Sequence, residues 1–131
     1  MRRILLPLAT LITLSLAACG GSAIELVGTY TSNFGDDETI TESNWGDATI
    51  EDWDNDANWA VTRNPDDAQY FPGTYSKLVW TEPAAGSFYY CYVDFGKDTV
   101  EAARTSTQAA DASDPDATGC GGFSWTKLSV K

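Results

Sequence analysis

The residues best spaced to hold a metal ion are Asp52, Asp54, Asp56 and Asn58, the alternate positions of the run Asp52-Trp53-Asp54-Asn55-Asp56-Ala57-Asn58. A twelve-residue calcium loop takes oxygen ligands at its first, third, fifth and seventh positions, but it also needs glycine at the sixth and a bidentate glutamate at the twelfth. Those places hold Ala57 and Arg63. Because the flanks read as strands, a hairpin turn is expected here rather than a calcium site, and no other cofactor is implied. Asp111, Asp114 and Asp116 around Pro115 offer a second, looser set of oxygens, again read as a solvated loop.

Catalysis has little to work with. The chain has no histidine, which removes the usual Ser-His and Cys-His pairs and the commonest general base. Two carboxylates could hydrolyse a glycoside, but with 19 acids in the chain nearness alone singles out no pair. The chain is therefore read as non-enzymatic. Aromatic residues are more informative: five Trp, six Tyr and five Phe exceed what one small core must bury. Trp45, Trp53, Trp59, Tyr70, Phe71 and Trp80 are candidates for a platform or cavity lining of the kind sugars and apolar ligands use. Trp53, Trp59, Tyr70 and Trp80 are the ligand-binding set expected, with attention drawn to the acidic turn between the first two.

The address is written at the start of the chain. Met1-Arg2-Arg3 precedes an apolar run from Ile4 to Leu16. That run is too short to cross a hydrocarbon core, which takes roughly 20 apolar residues, so it reads as the h-region of a secretory signal. Leu16-Ala17-Ala18-Cys19 resembles the lipobox of bacterial lipoprotein precursors. The resemblance implies cleavage before Cys19, acylation of that cysteine, and membrane attachment through the N-terminal lipid. Gly20 rather than Asp after the cysteine implies, by the sorting of such lipoproteins, a lipid-anchored place in the cell envelope at the outer membrane. The alternative is an ordinary cleaved signal peptide whose Ala-x-Ala-like end happens to precede a cysteine.

On this reading residues 1–18 are the signal peptide, 19–24 the lipidated cysteine and a short tether, and 25–131 a single β-rich domain. Loss of Arg2 and Arg3 leaves six basic residues against 19 acidic ones, a net charge of −13. So acidic a surface excludes nucleic acid as a partner, since phosphates need a basic patch. A small-molecule or protein partner is left open, and a monomer is expected. With Cys19 taken by lipid, Cys91 and Cys120 remain as an even pair in an oxidising compartment, and a disulfide between them is expected.

The elements that must position these residues read as short strands. Period-two alternation, broken by Gly, Asn, Asp and Pro, marks strands at residues 26–32, 38–43, 48–53, 58–63, 75–82, 87–95 and 123–130. Ser87 to Phe95 is the strongest of them, with Phe88, Tyr89, Tyr90 and Tyr92 around Cys91. Asp98-Thr99-Val100-Glu101 fits an Asp-x-x-Glu capping box, so a short helix is expected from Thr99 to about Ala110.

Seven or eight short antiparallel strands with one late helix make an all-β fold, a small barrel, with a β-sandwich as the alternative. Gly28-Thr29-Tyr30 resembles the Gly-x-Trp opening of lipocalins, with Tyr30 in place of the tryptophan, and a helix before the last strand also occurs in that family. The resemblance implies a lipocalin-like carrier of a small apolar ligand. The competing reading is a surface-interaction module with a filled core.

Overall fold

The computed structural model describes residues 22–131, so the signal peptide and Cys19 lie outside the described residues. Eight strands form a closed antiparallel barrel in simple sequence order: β1 (Gly28–Ser32), β2 (Asp37–Ile40), β3 (Asn44–Trp45), β4 (Ala48–Asp54), β5 (Trp59–Arg63), β6 (Tyr75–Trp80), β7 (Ser87–Lys97) and β8 (Thr126–Val130). The ring closes where β1 pairs with β8, Tyr30 opposite Val130 and Ser32 opposite Leu128. One short helix, α1 (Val100–Arg104), lies between β7 and β8. This is the small lipocalin-like barrel expected, and the sandwich alternative is excluded.

Alternation fills the interior. Tyr30, Ile40, Trp45, Ile50, Ala60, Leu78, Trp80, Phe88 and Leu128 point inward and form one core. β4 departs from the pattern at a bulge between Ile50 and Asp52. An extra residue in one strand shifts the phase of every side chain after it, so Trp53 turns to the core side opposite Ala60 while Asp52 stands opposite Val61 on the outer wall.

Two details differ from the sequence reading. Trp45 lies in β3, a two-residue strand made possible by Gly46, which takes φ +56° in the tight turn to Ala48. The helix stops at Arg104 rather than running to Ala110. Its cap is Thr99 rather than Asp98, the Thr99 hydroxyl accepting from the Ala102 amide at 3.1 Å. Its end is fixed by Lys77, whose ammonium donates to the Arg104 and Ser106 carbonyls, each at 3.0 Å. The helix buries Ala103, which packs toward the outer wall where Val61 is also fully buried.

The two ends of the barrel differ. The end from which the chain enters β1 is the base, and it is plugged by the N-terminal segment. Ile24 and Leu26 are each only 1% exposed, so the folded domain begins ahead of Glu25 and Ile24 belongs to the core rather than to the tether. Hydrogen bonds lock the segment across the opening. Asn55 brackets it through the Glu25 amide and the Ala23 carbonyl, both at 3.0 Å. The Trp53 indole donates to Ser22 O at 3.2 Å, the Trp80 indole to the Glu25 carboxylate at 2.9 Å, and the Tyr30 hydroxyl to Leu26 O at 2.7 Å.

At the other end, the mouth, β8 pairs with β7 only as far as Tyr90 opposite Thr126. Beyond that point the Cys91–Cys120 disulfide ties the returning segment to β7, as the cysteine count predicted. Because it closes a loop between residues 29 apart, its loss should cost about 3–4 kcal/mol in the chain-entropy account. Replacing both cysteines by serine is expected to lower the unfolding free energy by that amount, seen as a lower urea midpoint with an m-value that rises because the unfolded chain is no longer cross-linked. An unaltered midpoint would show that the returning segment is held by other contacts.

Candidate functional site

The mouth opens into a cavity of about 590 Å³. Its floor is Glu38, Trp45 and Tyr92, and its walls are the β3–β4 turn and the loop of residues 64–70. Glu38 is carried inward because it alternates with Ile40 on β2, which puts both on the same face of the strand. Tyr92 reaches the cavity by the same rule from β7, where Phe88, Tyr90 and Tyr92 share the inner face.

The Glu38 carboxylate accepts a hydrogen bond from the Tyr90 hydroxyl at 3.1 Å. Burial raises its pKa above the ordinary carboxylate value, and this hydrogen bond pulls it only part of the way back. The Trp45 indole N–H leans on the same carboxylate but stops short of hydrogen-bond geometry and finds no other protein acceptor. Burial and the Glu38 charge push the Tyr90 phenol far up, and burial pushes that of Tyr92 up to about 12. Both phenols are therefore neutral donors at any physiological pH.

No cation among the described residues neutralises Glu38. Arg63 is held by Asp66 at 2.6 Å, Lys97 by Asp94 at 3.1 Å and Arg104 by Asp52 at 3.1 Å. Lys131 pairs with Asp37, Lys77 caps the helix, and Lys127 lies over the Tyr89 ring at 5.5 Å. Near the mouth end of β5 and β6, the paired residues Thr62 and Ser76 carry hydroxyl oxygens that are buried with no protein partner. Buried polar atoms are rarely left so. Three of the four such side-chain atoms among the described residues therefore belong to inward-facing residues of the barrel.

A run of aromatic rings leads from the rim to Trp45, its middle members Phe95, Tyr92 and Tyr90 lining a second cavity. From the rim inward, Phe71 stacks on Phe95 at 5.8 Å and Phe95 on Tyr92 at 5.6 Å; Tyr92 then meets Tyr90 edge-on at 6.0 Å, and Tyr90 meets Trp45 at 5.1 Å. Phe71 holds its place at φ +51°, a conformation bulky residues avoid. Its carbonyl accepts from Asn64 and Thr74, and its ring lies so close to Gly96 that a Cβ there would stand 2.9 Å from Phe71 Cδ1. Phe34, Tyr70 and Phe123 complete an exposed aromatic rim, with Tyr70 72% and Phe123 77% accessible. A second, more apolar cavity of about 430 Å³ opens beside the disulfide between Tyr90, Phe95 and Phe123, and Tyr92 lines both.

Of the six aromatic candidates read from the sequence, Trp45 and Tyr70 line the mouth cavity, and of the ligand-binding set of Trp53, Trp59, Tyr70 and Trp80 only Tyr70 does. Trp80 and Trp53 serve the base, and Trp59 lies under the Lys77 ammonium at 5.6 Å. These four do not form one site. Asp52, Asp54, Asp56 and Asn58 lie toward the base as the β4–β5 hairpin turn. Asp54 accepts from the Asp56 and Ala57 amides, Asp52 pairs with Arg104, and Asn58 donates to Glu82 at 3.0 Å. In the second acidic loop Asp111 accepts from the Ser113 amide and Asp116 from the Tyr89 hydroxyl. Among the described residues no group of three or more acids or cysteines gathers as metal ligands would. Sequence reasoning missed Glu38, Tyr90 and Tyr92. The signal was an acid in phase with Ile40 on an alternating strand.

No protein family, curated protein or solved structure matches the chain. The site therefore has to be read from its own chemistry.

A buried carboxylate with a raised pKa binds its proton more tightly in the folded than in the unfolded chain. Stability then falls as pH rises from the ordinary carboxylate value through the raised one, and the loss is complete above it. Glu38→Gln, which keeps an acceptor for Tyr90, is expected to raise the thermal midpoint at pH 7. The gain should fade as pH falls through the raised value and be gone below the ordinary value of 4.5. A variant less stable than wild type at pH 7 would show that the carboxylate is well compensated in place.

Proposed function

We propose that this chain is a non-catalytic, lipid-anchored binding module of the bacterial cell envelope, taking a small amphipathic molecule through the open mouth of its barrel. The observation that carries the reading is the asymmetry of the two ends. Ile24 and Leu26 plug the base, while the mouth keeps a 590 Å³ cavity lined by Trp45, Tyr70 and Tyr92 together with Glu38 and the polar loop of residues 64–70. Concave sites where polar groups and aromatic rings converge are where small ligands bind, and the more apolar second cavity beside the disulfide shares Tyr92 with this one.

The anchor suits this arrangement. An acyl chain on Cys19 would sit a few residues from Ser22, at the plugged base, so the mouth would face away from the bilayer. A surface-interaction role has its own support in the rim, where Phe34, Tyr70, Phe71, Phe95 and Phe123 are all exposed at one end. Exposed apolar groups gathered in this way mark contact sites.

Two experiments test the proposal. The fluorescent apolar amine N-phenyl-1-naphthylamine is expected to bind one site per chain. Ala68→Trp, which fills the mouth from a loop, should weaken it at least about fivefold, since a filled cavity loses most of the contact area. Equal affinity in the variant would place binding elsewhere and overturn the reading. For the anchor, palmitate label should enter the full chain in a bacterial host and be absent from Cys19→Ala, whereas label that persists would refute it.

A further inference from the structure

The cavity of about 430 Å³ beside the disulfide differs from the mouth in charge. The chain carries 19 acids and 8 bases, yet among the described residues no charged side chain lines this cavity. An ion entering it would leave water without finding a partner, so the space suits an uncharged group. Its walls are rings, with Phe95 and Tyr92 on β7 and Phe123 on the returning segment. These surfaces can be reached: Phe95 is 48% and Phe123 77% exposed, and Tyr92 and Thr126 are half-buried.

The mounting of Phe123 is a second and independent observation. Cys120 and Phe123 exchange both backbone hydrogen bonds, each at 2.9 Å, across Gly121 and Gly122. The two glycines take φ +59° and +86°, the tight hairpin turn that needs positive φ at both central residues. Cys120 is bonded in turn to Cys91 on β7. A glycine turn and a disulfide thus fix the backbone of a residue whose ring stands in solvent. Phe123 has no place in the core, and the run of stacked rings that ends on Phe95 does not include it. Exposed apolar rings gathered at one cavity mark a contact surface. Ring pairs also add stabilisation beyond the area they bury, which an aliphatic chain of the same size does not gain.

We propose that this second cavity seats a flat, uncharged aromatic ring of a small ligand, the ring lying against Phe123 and Phe95 and the ligand's polar group directed toward Tyr92, the residue shared with the mouth. This rests on the open end of the barrel being a binding site and names the chemistry of the ligand's apolar part.

The test compares 2-naphthol with decahydro-2-naphthol, which has the same carbon skeleton and hydroxyl but no flat ring. Affinities are measured by NMR titration of the Thr126 methyl signal, which lies at the cavity and is present in every variant. 2-Naphthol should bind the wild-type protein about three- to tenfold tighter than the saturated alcohol. Phe123→Leu, which keeps apolar bulk and removes the ring, should cut that preference to about twofold or less. Phe34→Leu should keep it, because Phe34 is 66% exposed on the same rim but lines neither cavity. Equal affinity for the two alcohols in wild type, or a preference that survives in Phe123→Leu, overturns the inference. If the naphthylamine in that case still binds and Ala68→Trp still weakens it, the binding reading stands and only the aromatic seat is wrong. If neither the naphthols nor the naphthylamine binds, both fall.

Discussion

Closure of the ring between β1 and β8 is the constraint from which the rest of the structure follows. Once the last edge is paired, the ring has no fully open edge strand, and each strand must commit one face to an enclosed space. That space has to be filled or left open at its ends. Here it is filled at the base by chain that precedes the first strand, with Ile24 and Leu26 completing the core and two indoles, an asparagine and a tyrosine hydroxyl tying that segment down. The mouth receives no such plug. The disulfide at Cys91 finishes the wall where β8 stops short, and so keeps that end in shape without filling it.

Against an interior so thoroughly satisfied at the base, the polar groups near the mouth stand out. A glutamate on an inward position of a small barrel works against stability, and so does an indole N–H or a hydroxyl without a partner. Proteins accept such costs where a site needs the group more than the fold does. Glu38, Trp45, Thr62 and Ser76 fit that description, each inward and each only partly compensated. The run of rings from Phe71 to Trp45 borders the second, apolar cavity and meets the Glu38 site at Tyr92 and Trp45, held at its outer end by a strained residue resting on a glycine.

How much of this could be read from the chain follows from which rule fixes each part. The alternation of Tyr75–Trp80 and the aromatic density of Ser87–Lys97 identify their strands directly, because half-buried strands repeat every two residues. The cysteine pair was legible from parity and compartment. β3 was not, since two residues carry no period and only Gly46 hinted at the turn. The side chosen by Trp53 was not either, because a bulge resets the phase and leaves no mark in the pattern. Helix α1 was overextended because its end depends on Lys77, a residue on another strand. Glu38 was passed over for a simpler reason: among so many acids, only its phase with Ile40 sets it apart, and that becomes meaningful once the strand's inner face is known. The acidic turn between Trp53 and Trp59 drew attention by composition, yet its carboxylates are spent on the turn itself.

The account turns on one carboxylate standing ionised inside the mouth of a barrel without a positive partner. Its most direct test is the titration of the Glu38 side-chain carboxyl carbon by NMR in the ligand-free protein. The account predicts a midpoint clearly above the ordinary value of 4.5 and a matching shift in the Tyr90 ring signals as the shared hydrogen bond changes character. A midpoint at or below the ordinary value would mean that the carboxylate is solvated or neutralised where it stands, and would contradict the account.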